Sequence, residues 1–151
     1  MVLTTASGPS RDSKTVPGVR IVIAEDHALV RQGIKRIVEE DPALHIIDEA
    51  EDGLELIELV EKDAPDLIIL DISMPRLSGL EAAAIIKKHF PKVKILILSM
   101  HRSGGFFRKA MEVGVDGYLL KEDVDMDLHA AIEAVLKGKT FISPLLYKMG
   151  H

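Results

Sequence analysis

The chain has 151 residues, 47% of them apolar, which is enough for one ordinary domain with its own core. Its 24 acidic and 19 basic side chains give a net charge of -5, so the overall charge does not favour nucleic acid. Cysteine is absent, which excludes disulfides and thiolate metal sites, and no apolar run approaches the roughly 20 residues of a membrane span. These properties predict a soluble cytoplasmic domain that does not contact a membrane.

The chain divides into three parts. Residues 1–18 are rich in Ser, Thr, Gly and Pro without periodicity, and they are predicted to be a disordered tail. From Val19 onward, short apolar runs alternate with longer segments of helical spacing, which is typical of βαβ units around a parallel sheet. The predicted domain covers residues 19–139, and residues 140–151 are predicted to be the remnant of a linker.

Five strands and five helices are predicted in strict alternation. The predicted strands are the apolar runs at 19–24, 44–50, 66–70, 94–98 and 116–120. The first and last predicted helices lie at about 28–40 and 125–137, and the fourth carries apolar residues from 106 to 113. The second carries apolar residues from 54 to 60 and is broken at Ala64-Pro65, and the third carries them from 80 to 86 and is closed by Phe90-Pro91. Gly104 and Gly105 stand where the fourth helix begins, and each weakens a helix by up to about 1 kcal/mol relative to Ala. We therefore expect this end of the helix to move easily.

The composition of the strands predicts their order in the sheet. Most of the strands lack polar alternation, as expected when helices cover both faces of a parallel sheet. The strand at 44–50, LHIIDEA, is the least apolar and is expected at an edge. Right-handed crossovers then favour a doubly wound, five-stranded α/β sheet of order 2-1-3-4-5, whose ligand-binding crevice opens between strands 1 and 3.

Polar residues stand where four of these strands end. Glu25 and Asp26 follow the first strand, Asp71 the third, Ser99 the fourth and Lys121 the fifth. Because the carboxyl ends of parallel strands share one edge of the sheet, these side chains are expected to meet there. The sequence thus predicts a site for a divalent cation and a phosphoryl group.

The chemistry of such a site follows from charge. Three neighbouring carboxylates repel one another unless a cation lies among them, and Mg²⁺ prefers carboxylate and phosphate oxygens. Asp71 is the best-placed nucleophile, since carboxylates form acyl phosphates. Lys121 would neutralise one phosphoryl oxygen, and the Ser99 hydroxyl would donate a hydrogen bond to another.

Each residue also has an ordinary structural interpretation. Asp26 and Ser99 are suitable helix caps, Asp71 is a suitable turn residue, and Glu25 and Lys121 are suitable surface residues. All of these interpretations would have to hold at four strand ends on one edge. The combination therefore favours a functional site.

The chain resembles the receiver domains of two-component response regulators, which have a flavodoxin-like (βα)5 fold. The resemblance rests on RIVIAEDH, DLIILDISMPRLSGLEAA, ILILS and GVDGYLLK, in the family's order and spacing. It implies that Asp71 accepts a phosphoryl group from a sensor histidine kinase. It also implies a Mg²⁺ or Mn²⁺ site, a hydroxyl and lysine pair and a switch aromatic. The residues implied are, for the metal, Glu25, Asp26, Asp71 and the Ser73 carbonyl; for the pair, Ser99 and Lys121; and for the switch, Ser99 and Tyr118.

Three short segments of the sequence resemble the group of response regulators whose receivers precede a LuxR-type helix-turn-helix domain. The segments EDHALVRQGI, GVDGYLLKED and GKTFISPLL carry this likeness. The resemblance implies control of transcription through a DNA-binding domain that the sequence does not contain, with possible homodimerisation on phosphorylation. The chain is expected to be part of a longer regulator, and a stand-alone receiver acting through protein contacts is the alternative. Glu122 departs from many receivers, which have proline there.

Ser73 and His101, each two residues beyond a site residue, are expected to face the phosphoryl group and to tune dephosphorylation.

The domain is expected to be a switch with self-catalysed phosphotransfer and dephosphorylation, and not a turnover enzyme. A haloacid dehalogenase-type phosphatase needs a second Asp where Ser73 stands. A flavodoxin-like nucleotide-binding protein would have GxGxxG where EDHALV stands. A pseudo-receiver would not need the complete acidic set.

Overall fold

The computed structural model of the protein describes residues 18–102, 104–144 and 146. The predicted tail, apart from residue 18, and the end of the predicted linker lie outside these residues. Six strands lie in the described part of the chain: β1 Val19–Ala24, β2 Leu44–Ala50, β3 Leu67–Asp71, β4 Lys94–Ser99, β5 Gly117–Leu120 and β6 Phe141–Ile142. The helices are α1 Ala28–Val38, α2 Gly53–Lys62, α3 Gly79–His89, α4 Gly104–Val113 and α5 Val124–Leu136, with a 3-10 turn at Lys121–Asp123.

The strands form one parallel sheet of order β2-β1-β3-β4-β5-β6. The predicted order 2-1-3-4-5 is confirmed, and β2 lies at the edge as expected. The sixth strand is an addition, because Phe141–Ile142 falls within the segment predicted to be a linker. Helix α1 ends at Val38, two residues before the predicted end, because the chain turns ahead of Asp41-Pro42.

Helices cover both faces of the sheet, and two apolar layers form between helices and strands. All five residues of β3 are buried, which explains why its sequence has no polar alternation. Residues of α2, α3 and α4 pack on one face, and residues of α1 and α5 pack on the other. None of the helices that the structure describes is long and apolar enough to cross a membrane.

The start of α3 brings its first turn against the end of β3. A Cβ atom at Gly79 would collide with the Asp71 carbonyl oxygen, so this close approach requires glycine. Ser78 caps the helix, accepting a hydrogen bond from the Glu81 N–H, and the Glu81 carboxylate accepts one from the Ser78 N–H. The position of the β3–α3 loop, which follows Asp71, is thereby fixed.

Candidate functional site

Asp71 is the last residue of β3, and it is buried at the carboxyl edge of the sheet with 2% of its surface exposed. Its Oδ1 atom accepts a hydrogen bond of 3.1 Å from the Ser73 N–H. The Nζ atom of Lys121 lies 3.3 Å from the same oxygen. Asp71, the predicted nucleophile, and the ammonium group of Lys121 are therefore in direct contact.

Glu25 is buried beside this pair, with 1% of its surface exposed. Its Oε1 atom lies 3.1 Å from Lys121 Nζ, so the ammonium group bridges two buried carboxylates. The residues come from the ends of β1, β3 and β5, which confirms that these strand ends converge. Two negative charges share one positive charge, so the cluster has an excess of negative charge.

The pKa of Asp71 reflects this arrangement. Burial raises the pKa of the carboxyl from 3.8 to about 6, and the charge of Glu25 adds to the rise, whereas the Ser73 N–H and Lys121 oppose it. Burial lowers the pKa of Lys121, but the attraction of Asp71 and Glu25 outweighs this, so the net pKa is raised. Lys121 is therefore charged at neutral pH, and Asp71 carries its charge at an energetic cost.

The acidic residues after β1 are suited to hold a cation. Ligand atoms of Glu25, Asp26 and His27 all lie within 4.8 Å of one another. Among the described residues, buried Glu25 Oε1 and Asp26 Oδ1 accept no hydrogen bond of good geometry. Carboxylate oxygens that accept no hydrogen bond of good geometry, next to excess negative charge, are the donor set that a hard divalent cation takes. The residues present therefore fit a divalent metal ion.

Two residues near this group were not predicted from the sequence. His27 Nδ1 lies 3.3 Å from both Glu25 Oε2 and Asp26 Oδ1, and its side chain is largely exposed. Arg31 donates a hydrogen bond of 2.6 Å to the Glu25 carbonyl oxygen and pairs with Glu49 at 2.9 Å. Arg31 stands four residues after His27 on α1, and its partner Glu49 lies at the end of β2. Its role depends on that distant partner, so local spacing gave no signal for it.

Ser99 and Tyr118 are linked through one residue, His101. The His101 N–H donates a hydrogen bond of 2.8 Å to Ser99 Oγ, and the Tyr118 hydroxyl donates one of 3.2 Å to the His101 carbonyl oxygen. Ser99 and Tyr118 are both fully buried. Burial raises the pKa of the Tyr118 hydroxyl, and a hydrogen bond with Ser99 partly opposes this rise. The structure thus has Tyr118 in a buried orientation, with its ring edge-on to Phe107 at 5.5 Å.

The His101 ring lies between the Asp71 loop and α4. Its Nε2 atom lies 3.5 Å from Ser73 Oγ, and the ring stacks on Phe106 at 4.2 Å. Nearby, Arg102 pairs with Glu122, the residue that departs from many receivers, at 2.6 Å. Ser73 and His101 therefore lie side by side, and the tuning of dephosphorylation by them stays a prediction. The β4–α4 loop is tied to the turn that follows β5.

Comparison with known proteins now identifies this arrangement. The family model described as the response regulator receiver domain matches residues 21–133. The chain belongs to the response regulator receiver family. This membership favours the receiver interpretation over a phosphatase or a nucleotide-binding protein of similar architecture.

Among curated proteins, the chain is 42% identical over 129 residues to the transcriptional regulatory protein DegU of Brevibacillus brevis, covering 83% of this chain and 53% of DegU. A LuxR-family response regulator from Aurantimonas sp. SI85-9A1 superposes with a TM-score of 0.83 at 34% identity, covering 87% of this receiver and 94% of that chain. The structure of two RcsB dimers bound to two parallel DNAs gives a TM-score of 0.81 at 29% identity, covering 87% and 67%. The receiver spans 53% to 59% of the length of DegU and two other curated regulators.

Proposed function

We propose that this receiver accepts a phosphoryl group on Asp71 from a sensor histidine kinase and uses it to switch an output. The observation that supports this most strongly is the position of Lys121, 3.3 Å from Asp71 and 3.1 Å from Glu25. It gives a buried nucleophilic carboxylate a fixed positive charge where a transferred phosphoryl group would lie.

A bound divalent cation, Mg²⁺ or Mn²⁺, would be held by the carboxylates of Glu25, Asp26 and Asp71 and the Ser73 carbonyl oxygen. When bound, it would neutralise charge on the phosphoryl oxygens. The assignment is supported by Glu25 Oε1 and Asp26 Oδ1, which accept no hydrogen bond of good geometry within the described part of the chain. Its test is direct binding of Mg²⁺ to the wild type and to an Asp26→Asn variant, for which we expect much weaker binding.

The transfer step requires one bond to form and one to break. A carboxylate oxygen of Asp71 attacks phosphorus, the new O–P bond forms, and the N–P bond of the donor phosphohistidine breaks, leaving its electron pair on the imidazole. Lys121 pairs with a phosphoryl oxygen, and the Ser99 hydroxyl donates a hydrogen bond to another. Ser73 and His101, which lie beside each other, limit the access of water and so set the lifetime of the phosphoryl group.

The switch operates through Ser99 and Tyr118. Movement of Ser99 toward the phosphoryl group would stretch the bond that its Oγ accepts from the His101 N–H, and this change would alter the loop that accepts the Tyr118 hydroxyl bond. The buried orientation of Tyr118 is the one we assign to the phosphorylated state. A shift from 1% to 99% of that state requires about 5.5 kcal/mol of differential stabilisation.

The proposal for what the receiver controls rests on the proteins to which the chain is similar. DegU is a transcriptional regulatory protein, and RcsB is seen as dimers on DNA. We propose that this receiver controls transcription in the cytoplasm through a DNA-binding domain of a longer protein, with dimerisation on phosphorylation. A receiver that acts alone through protein contacts is the second candidate.

Beryllium fluoride, which mimics a phosphoryl group, tests the site. Fluorine NMR in the presence of Mg²⁺ should show a bound signal for the wild type and none for Asp71→Asn. Asp66→Asn, a change at an acidic residue of the opposite sheet edge, is the control and should bind as the wild type does. Equal signals from the wild type and Asp71→Asn would contradict the assignment of Asp71.

A further inference from the structure

The chain after α5 returns along the outer edge of the sheet. Phe141–Ile142 pairs in parallel with β5, with Phe141 opposite Gly117 and Ile142 opposite Tyr118. The Phe141 N–H donates a hydrogen bond of 3.2 Å to the Asp116 carbonyl oxygen. This strand therefore occupies the edge of β5 that a partner strand would otherwise use.

Ser143 makes two hydrogen bonds to the backbone of β5. Its N–H donates a hydrogen bond of 3.0 Å to the Tyr118 carbonyl oxygen. Its Oγ atom accepts one of 2.8 Å from the Leu120 N–H, and the side chain is fully buried. Leu120 directly precedes Lys121. A displacement of β5 at Tyr118 or Lys121 therefore acts on the bonds of Ser143.

Apolar burial adds to these bonds. Leu146 is almost fully buried in the apolar cluster that contains Tyr118, Leu120 and Phe107. Leu146 and the buried Tyr118 ring therefore belong to the same apolar cluster.

We propose that residues 141–144 and Leu146, the docking segment, are the output element of the receiver, and that they bind the β5 edge when Tyr118 is buried. This inference rests on the proposed function of Asp71. Turning Tyr118 outward would remove its ring from the cluster in which Leu146 packs and would disturb the strand that Ser143 holds. Phosphorylation, by favouring the buried ring, strengthens docking. A second copy cannot add a strand at this edge while the segment is docked.

Hydrogen exchange on the full chain tests the proposal. With Mg²⁺ and beryllium fluoride, the amides of Phe141 and Ser143 should exchange about tenfold more slowly than with Mg²⁺ alone, a typical size for such coupling. Tyr118→Ala should speed exchange at both amides and remove the effect of beryllium fluoride. Unchanged protection of the Ile69 and Leu70 amides in β3 checks that this variant is folded.

Coupling between two sites is reciprocal, which gives a second test. Ser143→Ala should weaken docking and lower the affinity for beryllium fluoride by a similar factor, several-fold or more. Thr140→Ala, an exposed residue just before β6, is the matched control and should leave both properties unchanged.

The outcomes distinguish failure of the docking segment from failure of the proposed function of Asp71. Bound fluorine signal with protection of Phe141 and Ser143 supports the docking segment. Bound signal with unchanged exchange at both amides overturns the docking segment and leaves Asp71 as the acceptor. No bound signal overturns the proposed function, and the docking segment loses its role as an output along with it.

Discussion

The ammonium group of Lys121 lies 3.3 Å from the carboxylate of Asp71, in a buried position at the end of two strands. Glu25 makes a second contact with the same ammonium group at 3.1 Å. One positive charge therefore holds two buried negative charges, and the negative excess is available to a divalent cation.

Lys121→Met should destabilise the metal-free domain by about 3 kcal/mol, because it leaves two buried carboxylates without a counter-charge. Added Mg²⁺ should recover a larger part of the stability in this variant than in the wild type. Urea unfolding with EDTA and with Mg²⁺ measures both effects. Lys62→Met, at an exposed lysine of α2, is the control and should change stability little.

The raised pKa of Asp71 predicts a pH dependence of stability. The folded chain keeps this proton up to a pH of about 6, whereas the ordinary value is 3.8, so the associated stability is complete below pH 3.8 and is lost as the pH rises through 6. Without metal, Asp71→Asn should therefore gain stability relative to the wild type between pH 4 and pH 7.

Urea unfolding in EDTA at a series of pH values measures this gain. Asp66→Asn, at the opposite edge of the sheet, should show no comparable trend. A constant difference in the free energy of unfolding between Asp71→Asn and the wild type, from pH 4 to pH 7, would show that burial does not raise the pKa of Asp71.

The positions of the strand ends could be predicted from the sequence because each is the boundary between an apolar run and a charged or hydroxyl residue. That boundary placed Glu25, Asp71 and Lys121 at one edge, where the structure has them in contact. The strand order followed in the same way, from the polar composition of β2. These features depend on local patterns and on general rules of parallel sheets.

Features that depend on distant partners could not be predicted. The sixth strand has only two residues, and its pairing with β5 is supported by Ser143, which is distant in sequence from β5. Arg31 acts through Glu49, 18 residues away. The orientation of Tyr118 depends on a bond to the backbone of His101, which no sequence pattern encodes.

Arg31→Gln should weaken Mg²⁺ binding by about tenfold or more, as loss of a group that orients metal ligands commonly does. Arg31 anchors the Glu25 carbonyl, so its loss frees the turn that carries the acidic residues. Isothermal titration with Mg²⁺ measures the change, and Arg31→Lys should keep part of the affinity. Arg36→Gln, at an exposed position of the same helix, is the control. Equal affinity in Arg31→Gln and the wild type would show that Arg31 has only a structural role.

Ser99→Ala should leave modification of Asp71 nearly intact and weaken any dimerisation that accompanies it. The reason is that the hydroxyl joins the phosphoryl group to the loop that holds Tyr118, but takes no part in bond formation. Ser99→Thr keeps the hydroxyl and should behave as the wild type. Light scattering with and without beryllium fluoride measures dimerisation, and equal dimerisation of Ser99→Ala and the wild type would contradict the coupling.

The most direct test of the central claim is intact-mass measurement after incubation with acetyl phosphate and Mg²⁺. We expect the wild type to gain the mass of one phosphoryl group and Asp71→Asn to gain none, with Asp66→Asn modified as the wild type is. A wild type that stays unmodified under conditions that label an established receiver, or an Asp71→Asn variant modified to the same extent, would contradict it.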